Sequence, residues 1–194
     1  MDTVFRDELR DQIRDKIIDR LSNENNDSSI DELRDQIKDS HIDNVINQIK
    51  ADFNNLFPEL DNNLDITSPS TPDYNCIAWA AGDITQWWWP SLVNGKHFYW
   101  PEGVEKKETL ECFIKAFKGL GYVVCDSCEL EDKYERIAIF TDASNTPTHA
   151  ARQEASGKWI SKIGNHFDIK HNLEGLCGEH YGNVAVIMKR PRFQ

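Results

Sequence analysis

The chain has 194 residues, 39% hydrophobic and 28% charged, with 33 acidic against 22 basic side chains and a formal net charge of −11. That is the size of one domain with an appendage, and the acidic excess argues against nucleic acid or an anionic membrane as partner, because both are held by clustered Lys and Arg. No apolar stretch approaches the roughly 20 residues that cross a bilayer, and the charged start from Met1 to Glu8 has no apolar signal core, so a cytoplasmic protein is expected, with export left to a specialised secretion system.

Residues 1–60 form a first unit. Asp7-Glu8-Leu9-Arg10-Asp11-Gln12-Ile13 recurs as Asp31-Glu32-Leu33-Arg34-Asp35-Gln36-Ile37, a local duplication and too few copies for a solenoid. Phe5, Leu9, Ile13, Ile17 and Leu21 keep helical spacing, and Leu33, Ile37, Val45, Ile49 and Phe53 do so less regularly. The polar link Ser22–Ser29 separates them, with Asp27, Ser28 or Ser29 as cap of the second. The expectation is an acidic helical hairpin that packs on the following domain, with binding of a protein partner through these helices as its sharper role. No residue in it has catalytic character.

Residues 61–194 form a second unit. A Pro/Ser/Thr/Asn/Asp loop over 61–75 opens it, and all six Trp lie beyond that loop. A buried helix is predicted over 76–84, an aromatic loop over 87–101 around Asn94-Gly95, and an amphipathic helix over 105–119. Short strands follow at 122–125, 136–141, 148–153 and 158–162, with a hairpin turn at Ala155-Ser156-Gly157. A helix near 173–177 and a strand over 184–189 close the unit. Helices first and an antiparallel sheet afterwards make the fold class α+β.

The chemistry centres on Cys76, in Tyr74-Asn75-Cys76-Ile77-Ala78-Trp79-Ala80. Small apolar residues follow it and a Pro-rich segment precedes it, which puts the thiol at the first turn of a buried helix. There the N–H groups and the helix dipole favour an anion, so a lowered thiol pKa is expected. A thiol nucleophile needs a base held by a third polar group. Among the six His residues, His149 opens a predicted strand after Pro147-Thr148, and a Gly-turn hairpin follows it. Five cysteines, an odd number, suit a reducing compartment with one reactive thiol better than a disulfide framework.

This order resembles the papain-like fold, and most closely the compact NlpC-type cysteine peptidases and amidases. In that family a His opens a strand and a polar residue about twelve positions later orients it; Ser161 stands at that place here. The resemblance implies Cys76 as nucleophile, His149 as base and Ser161 as orienting group. Ser departs from the family's usual His, Asn, Asp or Gln, and Asp168 and Asn165 are the substitutes that the next loop could supply. The strings Tyr74–Ala80, Trp87-Trp88-Trp89-Pro90, Pro147–Arg152, Trp159–Gly164 and Tyr181–Pro191 are also similar to an uncharacterised bacterial family, from which no activity transfers.

The resulting expectation is a cysteine hydrolase acting on an amide bond of a protein or peptide, as peptidase, amidase or glutamine deamidase, without cofactor or metal. An analogy of size and layout adds a bacterial effector or toxin as its setting. The Cys76 amide with Asn75 or Tyr74 would hold the oxyanion. Trp87, Trp88 and Trp100 would wall a substrate cleft, and Lys162 or Arg152 would meet an anionic group. Two other readings stand beside this one. One is a papain-like scaffold without turnover that binds proteins. The other is an interaction domain stabilised by zinc on Cys125, Cys128, Cys177 and His180.

Overall fold

A computed structural model describes residues 10–19, 39–60 and 64–192. The predicted link 22–29, its caps, and Phe5, Leu9, Leu21, Leu33 and Ile37 lie outside the described residues. Residues 10–19 are helical. The labelled elements are helices α1 (Asp39–Leu56), α2 (Cys76–Ala81) and α3 (Leu110–Gly119), and strands β1 (Asp65–Ile66), β2 (Val123–Cys125), β3 (Tyr134–Thr141), β4 (Pro147–Gln153), β5 (Trp159–Lys162), β6 (Asp168–His171) and β7 (Asn183–Pro191). The strands form one antiparallel sheet of seven, ordered β1-β6-β5-β4-β3-β7-β2. The architecture is mixed α+β.

The sheet is covered on both faces, and the alternation of β3 and β4 shows how. Ile137 and Ile139 of β3 and Ala150 of β4 pack with Ile77, Ala78, Phe113 and Phe117 of α2 and α3. Ala138, Phe140 and Ala151, which point the other way, pack with Ile13, Ile42, Phe53 and Phe57. The N-terminal helices therefore share a core with the sheet. Ile42, Val45, Ile46, Ile49 and Phe53 lie along one stripe of α1 and all join this second cluster, the apolar face that a helix buries against a sheet. Each large side chain so buried contributes about 1.5–3 kcal/mol.

Two helices begin or end inside their predicted spans. α2 stops at Ala81 because Gly82 adopts φ 85°, and the amides of Gly82 and Asp83 return to the carbonyls of Trp79 and Ala78, a left-handed stop that glycine permits. α3 starts at Leu110 because the Thr109 hydroxyl accepts from the Cys112 amide, a side-chain cap. The segment predicted as a helix near 173–177 is a single 3-10 turn, Leu173–Leu176. Strands β1 and β6 escaped prediction: β1 is a two-residue strand, and β6 follows the polar turn Gly164-Asn165-His166 and reads as loop.

Candidate active site around Cys76 and His149

Asn75 fixes the start of α2. Its Oδ1 accepts from the amides of Ala78 at 3.1 Å and Trp88 at 3.2 Å, and its Nδ2 donates to the Trp88 carbonyl at 2.9 Å. Cys76 is thus the first residue of the helix, as expected. The expected lowering of its thiol pKa is not found. Burial pushes Cys76 up to about 11, although the amides of Ala150, Ile77 and Cys76 itself favour the thiolate. Withdrawal from water outweighs the backbone donors here.

The Ala150 amide belongs to the peptide that joins His149 to Ala150, so Cys76 and His149 are spatial neighbours. β5 pairs with β4 only at Arg152 and Gln153, which leaves the beginning of β4 open on that side for the start of α2. Alternation along β4 turns the His149 ring to the face that carries α1. There it lies parallel to Tyr181, with ring centroids 4.0 Å apart, and edge-on to Phe140 at 5.4 Å. The ring is fully buried, and neither of its nitrogens has a hydrogen-bond partner among the described residues. Burial, then the nearby His171, hold its pKa well below the ordinary range, so His149 is a neutral base. Most buried polar groups are paired, which makes this ring unusual.

Ser161 does not orient His149. Its hydroxyl lies 2.8 Å from Nε2 of His171, whose Nδ1 is 2.6 Å from the Asn172 carbonyl. A carbonyl only accepts, so Nδ1 carries the proton, Nε2 accepts, and Ser161 donates. Burial lowers His171 to about 4. His171 was missed in the sequence because it was assigned to a loop; on β6 it stands opposite Trp159 and one strand beyond β5. The only sequence signal for it was the alternation Asp168-Ile169-Lys170-His171.

The remaining expected site residues fall into three groups. Asn75 and Tyr74 are consumed by structure: the side chain of Asn75 caps α2, and the Tyr74 hydroxyl donates to Asp168 Oδ2 at 2.8 Å. Asp168 is buried beside Tyr74 and Lys162 on the α2 face, away from the His149 ring, and burial raises its pKa. Lys162 is fully buried, lies 4.9 Å from the Tyr74 ring centre and donates to the His166 carbonyl, so it meets no substrate at the surface. Asn165 lies in the β5–β6 turn, where its carbonyl accepts from Ser70. Trp88 and Trp100 are core residues that bond Asp83 and the Glu105 carbonyl. Trp87 stacks on Phe98 at 5.3 Å and bonds the Pro72 carbonyl, beside the segment leading to Cys76. Arg152 lies 4.3 Å from the centre of the Trp79 ring.

Sequence reasoning also missed Tyr181. Its ring covers His149 at 4.0 Å between centroids, and its phenol pKa is raised first by burial and then by the charge of the Cys76 thiolate. For the zinc reading, no group of three or more His, Cys, Asp or Glu side chains suited to a metal occurs among the described residues, and their five cysteines are unpaired.

A family model described as a domain of unknown function, DUF7689, matches residues 65–189. No curated protein and no solved structure matches the chain.

Proposed function

We propose that this chain, which belongs to the DUF7689 family, is a papain-like cysteine hydrolase of amide bonds, with Cys76 as nucleophile and His149 as base. The carrying observation is the placement of Cys76 against the peptide that follows His149, together with a buried, neutral His149 ring whose nitrogens have no partner among the described residues. The ring has no hydrogen-bond partner among the described residues, so neither of its nitrogens is committed. In this reading His149 takes the thiol proton as the sulfur bonds to the amide carbonyl carbon. The tetrahedral oxyanion is held by backbone amides, since the side chains of Asn75 and Tyr74 are already committed. The C–N bond then breaks, His149 protonates the leaving amine, and a thioester remains. Water attacks the thioester, giving one proton to His149 as the carboxylic acid leaves, and that proton returns to the sulfur.

The test uses a peptidyl acyloxymethyl ketone, which alkylates an activated thiol. At pH 7.5 the full chain should be labelled at Cys76 at least tenfold faster than the His149→Ala variant. Equal, slow labelling of both would overturn the proposal. One observation favours the second reading, a scaffold that binds protein without turnover: Cys76 is only 9% exposed and its thiol is raised to about 11. That reading is supported if Cys76→Ala retains a partner that the intact chain binds.

A further inference from the structure

The motif Cys125-Asp126-Ser127-Cys128 takes no part in the chemistry at Cys76. It lies where the sheet ends: β2 is the outermost strand beside β7, and its last residue, Cys125, stands opposite Ile187. The chain bends at Asp126, and the Cys125 thiol turns into the bend and donates to the Ser127 carbonyl at 3.5 Å. That carbonyl belongs to the peptide that carries Cys128, so the first sulfur lies against the backbone of the second cysteine. Of the five cysteines, Cys128 is the exposed one; Cys125 and Cys177 are part-buried, and Cys76 and Cys112 are buried. A dissolved oxidant therefore meets Cys128 first.

The same bend is latched to the sheet. The Ser127 carbonyl also accepts from Arg136 Nε at 3.2 Å, and the Cys128 carbonyl accepts from Gln153 Nε2 at 2.9 Å. Arg136 is fully buried on β3, and its guanidinium pairs with Glu131, which Lys189 of β7 shares. Buried donors need their acceptors. Here two of those acceptors are the carbonyls on either side of the Cys128 Cα.

We propose that Cys125 and Cys128 are a site of reversible oxidation by peroxide, closing to a disulfide that releases the loop 126–132 from Arg136 and Gln153. The Cys128 thiolate attacks one peroxide oxygen, the O–O bond breaks, and the departing hydroxide takes a proton as water, leaving a sulfenic acid. The Cys125 thiolate then attacks the Cys128 sulfur, the S–O bond breaks, and a second water leaves. The two sulfurs lose two electrons to the peroxide, and a dithiol reductant returns them. Two sulfurs bond at about 2.05 Å. Cys125 is held by its pairing in the sheet, so the closing movement falls on 126–128 and turns both carbonyls from their donors. Asp126, Glu129 and a net charge of −11 select the oxidant: uncharged hydrogen peroxide approaches freely, whereas anionic glutathione disulfide is repelled.

The test treats the full chain with hydrogen peroxide at pH 7.5, blocks the remaining thiols with iodoacetamide in urea, and weighs the tryptic peptide 119–133, which holds both cysteines. The peptide should lose the mass of two hydrogens and resist iodoacetamide while Cys76 is still blocked, and dithiothreitol should restore it. Glutathione disulfide at the same concentration should give at least fivefold less of this product. In Cys125→Ser, dimedone should capture the Cys128 sulfenic acid at least fivefold more than in the native chain. Hydrogen exchange at the amides of 126–132 should quicken at least tenfold on oxidation of the native chain and stay unchanged in Cys128→Ser under the same peroxide. Oxidation of Cys76 or Cys177 first, equal dimedone capture in the two chains, or a disulfide joining two chains through Cys128 would overturn the dithiol site. A disulfide within 119–133 that forms with exchange unchanged would overturn the release of the loop.

Discussion

Asn75→Ala distinguishes a structural Asn75 from a catalytic one. The substitution removes the cap of α2, for which about 1 kcal/mol is usual. It also leaves the buried Trp88 amide and carbonyl, at 3.2 and 2.9 Å from the Asn75 side chain, without those partners, at about 1–3 kcal/mol for each orphaned group. The sum is about 3–7 kcal/mol, which in a domain of this size lowers the melting temperature by roughly 6–28 °C. Asn75→Asp keeps the acceptor and loses only the donor to the Trp88 carbonyl, so it should lose about half as much. The assay is thermal unfolding followed by circular dichroism, alongside labelling of Cys76 by the ketone probe at 15 °C, where the variants remain folded. If Asn75→Ala melts within 2 °C of the native chain but labels tenfold more slowly, the capping argument is wrong and Asn75 is an oxyanion donor.

Ser161→Ala should destabilise by about 1–3 kcal/mol through the unpaired Nε2 of His171 and change Cys76 labelling less than twofold; a tenfold loss of labelling at unchanged stability would restore Ser161 to the catalytic group. His171 titrates at about 4 in the folded chain and near its ordinary 6.5 when unfolded, so the folded state binds fewer protons in that window. Stability present above pH 6.5 is therefore lost as the pH falls toward 4, by on the order of 3 kcal/mol; urea midpoints at pH 7 and 4.5 that coincide would contradict this. Cys76 has the opposite sign: its thiol pKa is raised from 9.0 to about 11, so the stability it contributes is present below pH 9 and lost as the pH rises toward 11, and Cys76→Ala should flatten that alkaline loss in the same urea assay. Gly182→Ala should prevent folding to a soluble protein, because its Cβ meets the Thr141 backbone, whereas Gly95→Ala, with open space at its Cβ and only the left-handed backbone at φ 75° to strain it, should cost about 1–2 kcal/mol; soluble yield and melting temperature check both.

What was legible in the chain is local. The small apolar run after Cys76, the Pro-rich approach and Asn75 define the start of α2 through capping and periodicity. Pro147–Gln153 and Trp159–Lys162, separated by a glycine turn, define β4 and β5 in the same way. Asn94-Gly95 forms the expected tight turn, with φ values of 51° and 75°. Such features depend on a few neighbouring residues, and a sequence states them directly. The stripe of α1 likewise shows which face it buries, although not against what.

The tertiary structure decided everything that depends on sheet register and on the balance between burial and backbone donors. A strand's side chains alternate, so whether the ring of His149 faces α2 or α1 follows from which neighbour Ala150 meets, and β4 itself does not encode that. Ser161 lies twelve positions after His149, but the arrival of β6 beside β5 gives its hydroxyl to His171. Tyr181, distant in sequence from His149, comes to stack on its ring only because β7 returns beside β3. The sign of the thiol shift was decided the same way: the helix start alone favours the thiolate, and only the assembled core removes enough water to push Cys76 upward.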